Sequence, residues 1–210
     1  MRNFFKPAAA VADSLIEEPF YRAITADHRE NPIRRKEVLC AYLEYSLAEA
    51  QRTGRLVLAP APEEGAAAWL LPRTPEIDAQ ESAAKSSFLR ATLGPVGYDN
   101  YRRMTGFMSP LTEPSVPPGA WYLSILGVLP AAQGRGIGAR LLRPTLAEAD
   151  AARAVCYLET FSDRNPAFYR RLGFETVTTQ LEPATRANYA IMVRPGQAAA
   201  RSSGIRRRRP

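Results

Sequence analysis

A chain of 210 residues, 46% hydrophobic and 23% charged, is sized for one well-packed domain rather than two. Cys40 and Cys156 fit no metal-ligand spacing and read as reduced core thiols, while the single histidine, His28, reads as a helix-surface residue. Neither a histidine metal site nor a Ser-His-Asp triad has much to draw on. Residues 201–210 carry five arginines and no acid, so the net charge of +7 shrinks to about +2 (23 basic against 21 acidic residues) over the rest of the chain. With no aromatics between its charges, this tail reads as a disordered, solvating terminus; contact with nucleic acid or anionic lipid is the other use of such a segment. No apolar run approaches the length of a membrane span and no signal-peptide pattern opens the chain, so a soluble cytoplasmic protein is expected.

In chain order, Ala8 to Gln51 is mostly helical. Ile33, Leu39, Tyr42, Leu43 and Leu47 keep to one face at spacings of three and four, and Thr53-Gly54 is the stop. Arg55–Ala59 and Ala66–Leu71 read as two strands of a hairpin joined by the Pro- and Glu-rich loop 60–65. Two helices are expected around Ala79–Leu93 and Gly97–Phe107, then a Pro-rich linker from Pro110 to Pro118. Met104, Phe107 and Met108 read as core or as the lining of an apolar acceptor pocket. Trp121–Val128 is a strongly apolar strand, and a helix interrupted by Pro144 runs from Gly136 to about Ala152. Val155–Thr160 reads as a buried strand. A short helix follows, with Asn165 as N-cap, Pro166 at the first helical position and Gly173 in the C-terminal turn. Strands near Phe174–Glu182 and Tyr189–Val193 complete the chain.

The most informative segment joins the apolar strand to the helix: Gln133-Gly134-Arg135-Gly136-Ile137-Gly138-Ala139. Alternating glycines let the backbone approach a ligand, and the opening turn of a helix offers unpaired N–H groups, which together suit a pyrophosphate. One pyrophosphate ligand is a dinucleotide. Gly134-x-Gly136-x-x-Ala139 satisfies the loose pattern, and Glu159 stands about 20 residues on, where a ribose-binding acid belongs. Against it, Pro130–Gln133 separates the glycines from their strand, the motif lies past the middle of the chain, and only about 50 residues remain for a second nucleotide-binding half. A kinase-type phosphate loop fails because no Gly-Lys-Ser/Thr follows.

The other pyrophosphate belongs to coenzyme A. Gln133-x-x-Gly136-x-Gly138 resembles the acyl-CoA signature of the GNAT superfamily of N-acetyltransferases. Strand Trp121–Val128, the loop, the helix, Tyr157-Leu158-Glu159-Thr160 and the block Asn165…Phe168-Tyr169-Arg170-Arg171-Leu172-Gly173-Phe174 follow in that family's order. Within it the chain looks most like the puromycin N-acetyltransferase branch, on Pro19-Phe-Tyr, Trp69, the insert before Trp121, and Pro144. The resemblance implies an α/β (α+β) fold: a mixed, mostly antiparallel central sheet flanked by helices, with acyl-CoA held at splayed parallel strands. It places one domain over residues 1–196, with a helical insert about 75–118 and the acyl-CoA core about 120–175. The family usually opens with a strand, here missing or reduced to Asn3–Lys6.

The resemblance further implies acetyl transfer from acetyl-CoA to a primary amine by direct attack. Residues 134–139 then supply N–H donors to the pyrophosphate, with Arg135 adding a charge-assisted contact. The backbone of Leu126, Gly127 and Val128 pairs with the pantetheine arm, Gly127 fits a bulge or a plain strand-end turn, and an N–H there can polarise the thioester carbonyl. Tyr169 is the expected general acid, one helical turn from Asn165, which caps its helix, contacts the coenzyme arm, or both. Glu159 is the expected base, or a group that orients the amine. The acceptor is expected to be a small, partly aromatic amine, with a protein N-terminus or lysine as the alternative. A different class is a non-catalytic acyl-CoA-binding module whose tail contacts nucleic acid. A monomer or homodimer is expected.

Overall fold

A computed structural model describes residues 4–196. Helices α1 (Phe5–Leu15), α2 (Pro19–Ile24) and α3 (Pro32–Thr53) open the chain, followed by the hairpin β1 (Gly54–Leu58) and β2 (Gly65–Leu70). The insert is two helices, α4 (Pro75–Thr92) and α5 (Gly94–Ser115). Next come β3 (Trp121–Val128), α6 (Ile137–Ala152), β4 (Cys156–Thr160), α7 (Asn165–Arg170), β5 (Glu175–Leu181) and β6 (Asn188–Arg194). The six strands form one sheet in the order β1-β2-β3-β4-β6-β5, antiparallel throughout except for the β3–β4 pair. This is the mixed, mostly antiparallel sheet flanked by helices that the sequence predicts. No strand precedes α1 among the described residues, and none of the described helices is long and apolar enough to cross a membrane.

Two cores sandwich the sheet. Val11, Leu39, Leu43 and Leu47 pack on one face with Ala66, Ala68 and Ile125, while Leu141, Leu142 and Leu146 of α6 pack on the other with Ala67, Trp69, Leu123 and Leu158. Leu123 and Ile125 are two residues apart on β3, yet they face opposite cores. The pairing explains why: Trp69 opposes Leu123 but Ala68 opposes Ile125, so Ser124 is an extra residue, a bulge that flips the alternation. The bulged strand bends, and β3 pairs with β4 only from Trp121↔Cys156 to Leu123↔Leu158. Past that point the two parallel strands diverge and leave β3 unpaired on its β4 side. This splay creates the space for the site.

Several expectations are corrected. The bulge lies at Ser124, not at Gly127. Gly127 is glycine because α1 crosses there: a Cβ would stand 2.6 Å from Val11 Cγ1 and 3.0 Å from Val11 Cα. Gly127→Ala should therefore cost about 1–3 kcal/mol by overpacking, read as a lowered denaturation midpoint with an unchanged m-value. Residues 110–118 are not a linker. Helix α5 runs through Pro110 and Pro114 because Met104, Phe107, Met108 and Leu111, spaced at three and four, pack against Tyr189 and Ile191 and outweigh the lost hydrogen bonds. Ile33 is 77% exposed, since it sits in the first turn of α3, before the helix reaches the core at Val38. Asn165 is the first residue of α7 and not its cap; the N-cap is Arg164, and the Asn165 side chain donates to Thr160 Oγ1 at 3.2 Å instead. Cys40 and Cys156 are buried free thiols.

Candidate active site

Three adjoining cavities cross the molecule where β3 and β4 part. The outermost is a cleft of about 720 Å³ walled by the end of β3, the glycine loop, the start of α6, and α7. Leu126, Gly127, Val128, Gln133, Gly134, Gly136, Ile137, Gly138, Ala139, Asn165 and Tyr169 all line it. Behind it lies a smaller inner cavity of about 110 Å³, and beyond that an outer pocket of about 230 Å³ between the sheet and the insert. Leu15, Glu18, Leu126, Asn165 and Tyr169 border both the cleft and the inner cavity. Phe20, Tyr42, Met108, Tyr122, Ser124 and Glu159 border both the inner cavity and the outer pocket. The site is thus a passage with two junctions, one at Tyr169 and Glu18, the other at Glu159.

The cleft fits a diphosphate. Gly134 and Gly136 hold left-handed backbone, φ +76° and +75°, which reverses the chain direction and lets consecutive N–H groups converge. Gly136 is the N-cap of α6 and supplies no side-chain cap, and no acidic residue occupies the first turn. The first helical N–H to bond backward is that of Arg140, to Gly136, which leaves the amides of Ile137, Gly138 and Ala139 for a ligand at the positive end of the 16-residue helix dipole. Arg143, Arg164 and Arg171 also line the cleft and form no ion pair among the described residues. The charge of these three is legible in the sequence, but their convergence from α6 and the two ends of α7 is not.

Two predicted coenzyme residues brace the loop at the surface. Gln133 donates its side-chain amide to the Val128 carbonyl at 3.0 Å. Arg135 does not line the cleft: it is ion-paired with Glu64 at 2.8 Å, and its own carbonyl accepts from Arg140.

Tyr169 is only 8% exposed, packed edge-on against Phe168 and Phe174, and its hydroxyl has no hydrogen-bond partner among the described residues. Burial, with the neighbouring Glu18 carboxylate adding to it, holds the phenol well above its ordinary pKa. The Glu18 carboxylate, at the N-terminus of α2, has neither hydrogen-bond nor ion-pair partner among the described residues, and burial raises its pKa. The sequence reading passed over Glu18. Its one signal was position: a carboxylate directly before the Pro19-Phe20-Tyr21 start of a helix.

Glu159 sits at the second junction. Its Oε1 accepts hydrogen bonds from the Tyr189 hydroxyl at 2.5 Å and from Thr112 at 2.6 Å. Thr112 belongs to the stretch of α5 that reads as a linker in the sequence. Burial, with the Glu159 charge adding to it, drives the hydroxyls of Tyr122, Tyr157 and Tyr189 upward in pKa, so all three stay protonated. Met104 is core, whereas Met108 lines the inner cavity and the outer pocket, so both expectations for this group hold in part.

Residues 95–176, from α5 to the start of β5, match the model of a family described as an acetyltransferase (GNAT) domain. Over that stretch the chain is similar to GNAT acetyltransferases. GNAT acetyltransferases use acetyl-CoA. The N-alpha-acetyltransferase RimI of Mycobacterium tuberculosis is 48% identical over 64 residues, 29% of this chain and 39% of that protein, so the match spans well under half of the relative. Among solved structures, histone acetyltransferase HPA2 and related acetyltransferase from Corynebacterium glutamicum superposes with a TM-score of 0.63 at 20% identity, over 94% of this chain and 93% of that one. The PH1933 protein of Pyrococcus horikoshii reaches 0.50 at 12% identity, over 90% of each chain. At such identities the likeness is one of fold. The family match is to the superfamily; the puromycin-acetyltransferase-like branch rests on the residues quoted for it above.

Proposed function

We propose that the protein is an acetyl-CoA-dependent N-acetyltransferase whose acceptor is a small, aromatic primary amine. The observation that carries this reading is the continuous passage from a diphosphate-sized cleft to an aromatic-walled pocket, with the Tyr169 phenol at one junction and the carboxylates of Glu18 and Glu159 along it. The amides of Ile137, Gly138 and Ala139 and the arginines of the cleft hold the coenzyme's phosphates. The unpaired edge of β3 from Ser124 onward receives the pantetheine arm as an added strand. The thioester then lies near the first junction.

The acceptor lies in the inner cavity and outer pocket. Tyr42, Tyr122 and Phe20 offer ring faces, and Glu159, its Oε1 fixed by two hydroxyls, holds the ammonium. Before the amine can attack, its ammonium must lose a proton. Glu18 is the better base, because it borders the coenzyme cleft while Glu159 does not, and burial has raised its proton affinity toward the working pH. The free amine attacks the thioester carbonyl, the carbon–sulfur bond breaks, Tyr169 gives its proton to the departing thiolate, and the proton shed by the acetylated nitrogen restores the phenol.

A second reading has its own support: the relative at 48% identity is an N-alpha-acetyltransferase, which favours a protein or peptide N-terminus. One measurement separates the two. Thiol release from acetyl-CoA should be faster with arylalkylamines than with peptides bearing free N-termini; the opposite order favours the peptide reading. No release with either class, alongside intact coenzyme binding, favours the non-catalytic module. The basic tail at 201–210 lies outside the described residues.

A further inference from the structure

The outer pocket is not uniformly acidic. Its far side is formed by Lys85, from the middle of α4, with Tyr101, Thr105 and Ser109 of α5; these line the outer pocket but not the inner cavity, whereas Glu159 lines both. The pocket therefore presents a carboxylate toward the thioester and an ammonium away from it.

Lys85 is an unusual residue to find here. Its side chain is only 17% exposed, and it lies beside the hydroxyls of Tyr42 and Tyr101. Desolvation lowers its pKa, but Tyr42, Glu49 and Tyr101 more than compensate, and it stays charged. Its one hydrogen-bond acceptor among the described residues is Glu49 Oε2 at 2.9 Å, leaving donors of the ammonium for the pocket. Glu49 does not belong to Lys85 alone. Its other oxygen takes Arg73 at 3.2 Å, and the second partner of Arg73, Asp78, stands out in solvent with 55% of its side chain exposed. Glu49 is thus shared between Lys85 and Arg73, Arg73 has Asp78 as a closer partner at 2.7 Å, and of these charged groups Lys85 is the one that lines the pocket.

We propose that the acceptor carries, besides its amine, an anionic oxygen group of the carboxylate class, and that Lys85 binds it. The inference rests on the acetyl-transfer reading for the amine held at Glu159. It adds a specificity-determining residue supplied by the insert. Tyr42, Tyr122 and Phe20 line the same pocket as both charges, so the acceptor has an aromatic body besides its amine and its acid.

The test compares two probes with one skeleton, 4-(2-aminoethyl)benzoate and phenethylamine, on the full chain, with coenzyme A bound for affinity and acetyl-CoA supplied for turnover. Calorimetric affinity and kcat/KM should both favour the benzoate by about tenfold or more, as one charge-assisted hydrogen bond in a desolvated pocket provides. In the double variant Lys85→Met, Glu49→Gln, which leaves no buried carboxylate orphaned, that preference should collapse toward parity. Equal affinity for the two probes in the wild-type protein, binding of neither, or a preference that survives the double variant would each overturn the proposal. The wild-type comparison needs no variant, so a double variant that fails to fold leaves the answer readable. Preferential binding of the benzoate without thiol release keeps Lys85 in its role and removes the acetyl-transfer reading; equal acetylation of both probes does the reverse.

Discussion

Tyr169→Phe is expected to lower kcat for acetyl transfer by ~10²–10⁴-fold while leaving the affinity for acetyl-CoA close to that of the wild-type protein. The phenyl ring keeps the edge-on contacts with Phe168 and Phe174, and the lost hydroxyl leaves no buried group without its partner. Stability should therefore change by less than about 0.5 kcal/mol. What disappears is the proton for the departing thiolate. With its pKa driven up by burial and by Glu18, the phenol is fully protonated at neutral pH, so the wild-type enzyme has its acid loaded at every turnover. Single-turnover kinetics with saturating coenzyme isolate the step. An unchanged rate of thiol release in Tyr169→Phe would remove this residue from the chemistry.

Glu18→Gln should act on the pH profile as well as on the rate. A base works only when deprotonated, so kcat/KM should rise with pH through the Glu18 pKa, which burial has moved above the ordinary carboxylate range. In Glu18→Gln that rising limb should vanish, and the plateau rate should fall by ~10²–10⁴-fold. Stability should move the other way. Because the folded-state pKa is raised, the folded chain holds this proton more tightly than the unfolded chain. The carboxylate therefore destabilises the fold increasingly as pH rises from the unfolded value through the folded one. Removing the charge relieves that cost, so Glu18→Gln should unfold at a slightly higher temperature than the wild-type protein at neutral pH. Lower activity with higher stability marks a group kept for function rather than packing. A variant with a full rate and an intact acidic limb would return the base role to Glu159, where Glu159→Gln is the matching experiment.

Both predictions depend on junctions that local pattern does not reveal. Much of the scaffold was legible because its signals are local: the 3.6-residue period of Leu39, Leu43 and Leu47, the stop at Thr53-Gly54, the apolar run of β3, and the glycines that demand left-handed backbone at 134 and 136. The sequence order of strand, glycine loop and helix was sufficient to point to a diphosphate. It misled where packing overrode propensity. Pro110 and Pro114 read as a linker, yet α5 continues because its apolar face is buried, and only that continuation brings Thr112 to Glu159. It misled again at Gly127, where the residue's smallness serves α1 and the bulge lies three residues earlier.

By itself, then, the chain order determined which backbone could open toward phosphate and which phenol would sit one turn from Asn165, since both are matters of neighbouring residues. Only the tertiary structure decided which carboxylate faces the cleft beneath the glycine loop. Glu18 and Tyr169 are 151 positions apart in the chain, and their approach is set by α1 and α2 packing over the splay that the Ser124 bulge opens. Contacts of that range are fixed by how layers bury their apolar faces, and no periodicity within one segment encodes them.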